Sequence, residues 1–517
     1  MVTHSLQGLD ELRRYRPRRG ISWALLDVIV VDGTGGPAFG PAHIVIRDDK
    51  IIRVIEKHNA LSGLDGRGYH DAFPEEVAVE DTFCLEGMYV LPGFIDAHAH
   101  IGAPDQVESK DYVYKLWLGH GITRVREVGS LGIDYDTMQR ESSRSFNGEL
   151  EAPKIHSYLA FGAESSEPIT TGEAARQWVA QARERGAEGV KFFGAAPHLM
   201  RSALDEAGRL GMGSACHHSQ QATPRANAQL TARWGLRSIE HSYGQAEVMY
   251  QDRLLPEVPP DFNYSDERMR FAEAGRLWTQ GARRSETAWT DFVDELVSLK
   301  TTLVPTFTVY TAARDAERAR TREWVQDYVS PQLKRFFTPC QHRHGSFFSN
   351  WTTEDEVAWK KNYQIWMSFV EDFSLRGGRV CIGSDAGFIH SHYGFSYIDE
   401  MELMREVGMS PLQIIRAATL DAAGLLGIDS DAGSVEAGKT ADLVIVGQNP
   451  LSNLKALYGH GHYRPDDSNS ERRVGGIDIT INSGRITDSR KLLAEVREFV
   501  SQQREGQSAS DRNTEPQ

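Results

Sequence analysis

Cysteine is scarce in this chain, and the four present, Cys84, Cys216, Cys340 and Cys381, form no CxxC or other close pair. That excludes a disulfide-stapled scaffold and a cysteine-rich zinc module, and it fits thiols packing as small hydrophobes in a reducing compartment. Long apolar runs are also missing, since none nears the roughly 18 residues a membrane span requires. Basic charge is in deficit. The 57 Lys and Arg against 72 Asp and Glu give a formal net charge of −15, which suits solubility and argues against nucleic-acid partners. The opening stretch "MVTHSLQGLDELRRYRPRRG" lacks the apolar core of a signal peptide, so the chain is read as cytoplasmic. The glycines of "VVDGTGGPAFG" precede no helix, which excludes a dinucleotide-binding loop.

What is present is an ordinary globular balance, 40% hydrophobic and 25% charged over 517 residues, long enough for an α/β barrel with a second domain. Residues 1–21 are polar and Arg-rich and read as a loosely attached arm. Short apolar segments split by Gly and Asp turns fill 22–88, and the same texture returns at 430–490. Together they predict a small β-sandwich domain built from both ends of the chain. Between them, over 89–429, eight short apolar strands alternate with helical stretches: "VLPGFIDAHAH", "GITRVREVG", "KIHSYLAFG", "EGVKFFG", "GMGSACHH", "LRSIEHSYG", "TTLVPTFTVY" and "GRVCIGSDAG". That alternation predicts a (β/α)8 TIM barrel. Long insertions at 245–300 and 310–378 carry Trp278, Trp289, Trp324, Trp351, Trp359 and Trp366. A lid over the barrel mouth and plain packing on its flank both account for them. Residues 491–517 read as a helix and a disordered tail ending in "GQSASDRNTEPQ".

Catalytic groups of such barrels sit at the C-terminal ends of the strands. His98 and His100 end the first strand, and residues i and i+2 of a strand point the same way, so both imidazoles can converge on one point. Lys191 lies on the fourth strand, His217 and His218 end the fifth, His241 ends the sixth and Asp385 ends the eighth. Being adjacent, His217 and His218 face opposite ways, so only one is expected at a metal. "HRHG" at 342–345 lies in a polar connection and reads as surface.

"LPGFIDAHAH", "GVKFFG", "SIEHSYG", "GSDAG" and the tail "AGSVEAGKTADLVIVGQNPL" resemble the amidohydrolase superfamily, in particular its imidazolonepropionase-like and prolidase-like group with a binuclear metal site. The resemblance implies two divalent metal ions, for which zinc suits the donor set and manganese or cobalt would also fit. It further implies that His98 and His100 bind one metal, His217 and His241 the second, and that Asp385 completes the coordination of the first metal. Lys191 would be carboxylated by carbon dioxide to N6-carboxylysine, bridging both metals. An unmodified ammonium cannot be a ligand, whereas desolvation frees the amine for carboxylation. The alternative for Lys191 is a salt bridge to a nearby acid such as Glu127.

The implied activity is a metal-dependent amidohydrolase cleaving a carbon–nitrogen amide bond (peptide-like, N-acyl or cyclic) by attack of a metal-bridging hydroxide. Asp385 would be the catalytic proton carrier. A mononuclear zinc deaminase of a heterocycle and a lactone or ester hydrolase are the alternatives on the same scaffold. Deaminase-like relatives lack the strand-4 lysine and carry a glutamate after the strand-5 histidine, whereas this chain has Lys191 and "HHSQQ". His218, Tyr243, His392 and Tyr393 are candidate contacts to a small-molecule substrate, with His390 beside them, and a homo-oligomer is expected.

Overall fold

The computed structural model describes residues 2–56, 78–340, 345, 347–465 and 471–514. Most of the "HRHG" motif lies outside the described residues. The chain divides into two compact units, one of 1–95, 115–124 and 410–495, the other of 96–114, 125–409 and 496–517. In the first, an eight-stranded mixed sheet interleaves the two ends of the chain. Leu443–Val446 pairs antiparallel with Tyr89–Pro92 on one side and Ile477–Asn482 on the other. Its core is the alternating apolar face of these strands, including Trp23, Leu25, Ile44, Ile445 and Ile479. The segment read as a loose N-terminal arm instead begins with a helix, Val2–Arg14. Leu9 and Leu12, three residues apart on one helical face, are buried in that core, and Arg13 pairs with Asp478 at 3.1 Å.

The second fold element is the expected barrel. Parallel strands follow in order from Phe94–Ala99 through Ile122–Gly129, Lys154–Ala160, Gly189–Phe192, Gly213–Cys216, Ser238–Glu240 and Thr302–Val304. The eighth position is an extended segment, 379–385. It closes the ring through Leu303 N–H to Arg379 and Cys381 N–H to Leu303 on one side, and Ala97 N–H to Ile382 and Asp385 N–H to His98 on the other, at 2.8–3.0 Å. Glycine at 189 and 213 is required by packing inside the ring, because a Cβ on Gly213 would stand 1.8 Å from the Tyr158 hydroxyl. The seventh strand ends at Val304, short of the predicted "TTLVPTFTVY", and gives way to a single turn, Phe307–Tyr310.

The insertion tryptophans Trp278, Trp289, Trp359 and Trp366 are fully buried. Trp278 and Trp289 pack on Phe369 of the helix Thr353–Leu375, both at 5.2 Å. The C-terminal helix Ser489–Thr514 runs through most of the stretch whose composition predicts disorder, its earlier turns anchored by buried Leu492, Leu493, Val496 and Val500. No helix among the described residues is long and apolar enough to cross a membrane.

Candidate metal centre

The strand ends bring His98, His100, His217, His241 and Asp385 together at one rim of the barrel. The Nε2 atoms of His98, His100 and His241 stand 3.5, 3.3 and 3.9 Å from the Asp385 carboxylate. The His217 ring lies 4.7 Å from that of His241, which lies 4.9 Å from His98. Ligand atoms of His98, His100 and Asp385 all fall within 4.8 Å of one another. Backbone conformation helps to aim these groups. His241 and Asp385 have φ of 59° and 48°, the left-handed region that non-glycine residues seldom occupy outside sites held by their surroundings.

Each imidazole is oriented through its other nitrogen. His98 Nδ1 donates to Glu240 at 2.5 Å, His100 Nδ1 to Glu127 at 3.0 Å, and His241 Nδ1 bonds the Thr306 hydroxyl at 2.6 Å. All three Nε2 atoms thus face the carboxylate, the arrangement expected of metal-ligating histidines with carboxylate or hydroxyl partners. Glu240 is completely buried and held by Arg126 Nη2 at 2.8 and 3.0 Å and by the Ser238 hydroxyl at 2.5 Å. Glu127 also accepts the Ile101 N–H at 2.6 Å, so it serves His100 and is not the lysine's counter-ion. Sequence reasoning passed over Glu240 and Arg126. The available signal was charge on strands otherwise apolar: Arg126 and Glu240 both sit inside a barrel wall that a folded chain cannot leave unpaired.

Lys191 Nζ is buried without a hydrogen-bond partner, and it stands 5.6 Å from the centre of the Phe193 ring. Burial lowers its pKa against the pull of Glu240 and Asp385. Burial and Lys191 push His98 down to about 4, and burial with His217 pushes His241 well below its usual value. His100 goes the other way, to about 9, because Glu127 and Asp385 outweigh burial. Burial would raise Asp385, but the surrounding His98, His100 and His241 hold it well below the carboxylate range. The donor set is therefore two imidazoles that burial keeps neutral, His98 and His241, a His100 imidazole that must give up a proton to become a ligand, an ionised carboxylate and a partnerless amine that burial disfavours as a cation. That set fits divalent metal ions with a carboxylated lysine.

The predicted substrate contacts divide. The Tyr243 ring lies 5.4 Å from that of His217 and 5.9 Å from that of Tyr310. Tyr310 was not foreseen, yet its ring stands 5.8 Å from His241. His218 turns away from the cluster, with Nε2 on the Thr231 hydroxyl at 2.8 Å. His392 is occupied at Tyr112 (2.9 Å) and stacks on Phe395, and Tyr393 is buried where its hydroxyl would stand 2.5 Å from a Cβ on Gly387. Neither is placed among the ligands, because the loop after Asp385 folds back on itself, Gly387 N–H donating to the Ser391 carbonyl and Ser391 N–H to that of Phe388 across a tight turn. His390 lies beside Phe337 and Phe348, at 5.2 and 5.8 Å.

The amidohydrolase family model matches residues 369–467, the stretch that supplies Asp385. No curated protein matches the chain in sequence. Among solved structures, a Xaa-Pro dipeptidase with bound methionine in its active site is 18% identical, covering 90% of this chain and all of its own, with a TM-score of 0.58. Bottromycin amidohydrolase is 19% identical over 96% of this chain and 93% of its own, at 0.61. Phenylurea hydrolase B is 15% identical over 92% and 98%, at 0.59. At such identities the likeness is one of fold. The chain shares the barrel fold of these solved structures, and its rim gathers a donor set able to hold a metal ion. Over residues 369–467 the sequence carries the signature of the amidohydrolase family.

Proposed function

We infer that this chain hydrolyses a carbon–nitrogen amide bond, peptide-like, N-acyl or cyclic, in a metal-dependent reaction. One observation carries the reading: five ligand-type side chains from four strand ends meet around a buried lysine amine that has no hydrogen-bond partner. His98, His100 and Asp385 would hold one divalent ion, His217 and His241 a second, and Lys191, carboxylated on Nζ, would bridge the pair. Zinc suits these nitrogen and oxygen donors, and manganese or cobalt is compatible. When bound, such ions supply Lewis acidity toward a carbonyl oxygen and an acidified water.

The remaining work belongs to the chain's own groups. Asp385 stays ionised at neutral pH, so it can accept a proton from the attacking water and return it to the departing nitrogen. Glu240 and Glu127 keep His98 and His100 in one tautomer. Tyr243, whose phenol is held protonated by burial, is suited to donate to the oxygen that gains charge as the carbonyl is attacked. Phe193, 37% exposed beside His217, and Tyr310 offer apolar walls, which favours substrates with an apolar or aromatic group beside the scissile bond. A cytoplasmic, homo-oligomeric enzyme acting on small molecules goes with this reading. The three fold relatives are hydrolases by name, which supports it.

The test is turnover by metal-loaded protein on N-acyl amino acids, dipeptides, cyclic amides, lactones and aminated heterocycles, with metal counted on the same sample. Amide cleavage with about two equivalents of metal is expected. Asp385→Asn should cut turnover by roughly 10²–10⁴-fold while largely keeping the metal. Turnover confined to aminated rings, releasing ammonia with one metal equivalent, would replace this reading with the deaminase.

A further inference from the structure

We propose that the barrel unit carries a second ligand site, for a small phosphate-class dianion, in a basic cavity formed by the 310–378 insertion. The cavity has a volume of about 260 Å³ and is lined by Arg314, Arg318, Arg322 and Lys360, with Asp315 as the single carboxylate in its wall. Four cations around one recess are unexpected in a chain whose formal net charge is −15. Mutual repulsion makes such a cluster unfavourable unless something neutralises it.

Internal neutralisation is incomplete. Arg314 Nη2 pairs with Glu406 at 2.6 Å and Arg322 Nη2 with Asp399 at 2.8 Å. Each ion pair uses one terminal nitrogen of a five-donor fork, and Arg314 also engages the Tyr363 hydroxyl, so the two arginines are held in orientation with donors to spare. Packing fixes them further, Arg314 over the Tyr363 ring at 4.9 Å and Arg322 over Trp324 at 5.1 Å. Arg318 and Lys360 have no acidic partner among the described residues. Two pre-oriented guanidinium groups, a free guanidinium and a free ammonium around one recess match a tetrahedral oxyanion, which accepts from several directions at once.

The site also has a physical link to the metal centre. The helix Thr311–Arg314 continues directly from the turn Phe307–Tyr310, whose Tyr310 faces His241. Tyr363, beneath Arg314, donates to the Phe307 carbonyl at 2.6 Å. A dianion drawing Arg314 toward the cavity would therefore act on the turn that borders the reaction site.

Isothermal titration of the full-length chain with inorganic phosphate, at fixed ionic strength, tests the proposal. Saturable binding is expected, and Arg318→Gln combined with Lys360→Gln should weaken it at least tenfold at an unchanged melting temperature. Both substituted residues lack ion-pair partners, so the fold should survive their loss. Arg19→Gln, at a residue that does not line the cavity, should leave the affinity as it was. No saturable binding by the wild-type chain, or equal affinity in wild type and double variant, would overturn the proposal. The second result would place bound phosphate elsewhere, as at the metal centre.

Discussion

Replacing Glu240 by glutamine tests how the rim is built. Glu240 and Arg126 are both 0% exposed, and the carboxylate meets Arg126 Nη2 at 2.8 and 3.0 Å while also accepting from Ser238 and His98. Glutamine keeps the shape but removes the charge, leaving the guanidinium buried without its counter-ion. Breaking one side of such a pair costs about 3–5 kcal/mol. The amide must also present either its oxygen to Arg126 or an N–H toward His98 Nδ1, where a second donor is unwelcome. Loss of such an orienting partner lowers metal affinity by about 10–100-fold. Urea unfolding of metal-free protein, followed by tryptophan fluorescence, reads the first effect, and equilibrium dialysis against zinc reads the second. Arg126→Met combined with Glu240→Gln removes both charges and should be milder than the sum of the single changes. A single variant losing under about 1 kcal/mol with unchanged zinc affinity, or strict additivity in the double, would refute the account of Glu240 as the hinge between Arg126 and His98.

Three further outcomes are expected. Glu400 accepts the Phe307 and Thr308 N–H groups at 2.9 and 2.8 Å, yet burial raises its pKa from 4.5 to about 8. The native state therefore holds a proton that the unfolded chain releases between those values, and native stability falls as pH rises through that window. Glu400→Gln should flatten this slope in thermal melts across pH 5 to 8, and an unchanged slope would show that another group sets it. Lys191→Met removes a buried amine without a hydrogen-bond partner, so metal-free protein should gain about 1–3 kcal/mol while bound metal is lost; a variant that keeps both metals would sink the bridging role. His218→Gln should leave kcat and KM within about twofold and cost about 1 kcal/mol through its bond to Thr231, whereas a large kcat loss would return His218 to the reaction site.

What the linear chain determined was the period of the structure and the positions of its chemistry. Alternation of short apolar strands with helical stretches was enough for a barrel, because each strand must be buried on both faces. The i, i+2 spacing of His98 and His100 put both rings on one side, and Asp385 was legible because a carboxylate at the end of an apolar strand has few structural reasons to be there. The helix Val2–Arg14 was missed because two buried leucines in a polar stretch are too weak a periodic signal. The histidines after Asp385 were misplaced because a loop's path is set by the surfaces it packs on, and His392 found Tyr112, 280 residues away.

Only the tertiary structure decided which partners complete the rim. Glu240 serves His98, Glu127 serves His100 and Thr306 serves His241, all across gaps in sequence that no local pattern encodes. The reason is physical. Ligand side chains are written where strands end, but the partner of a buried charge is whatever ring closure brings within reach, and closure joins segments as distant as Ala97 and Ile382.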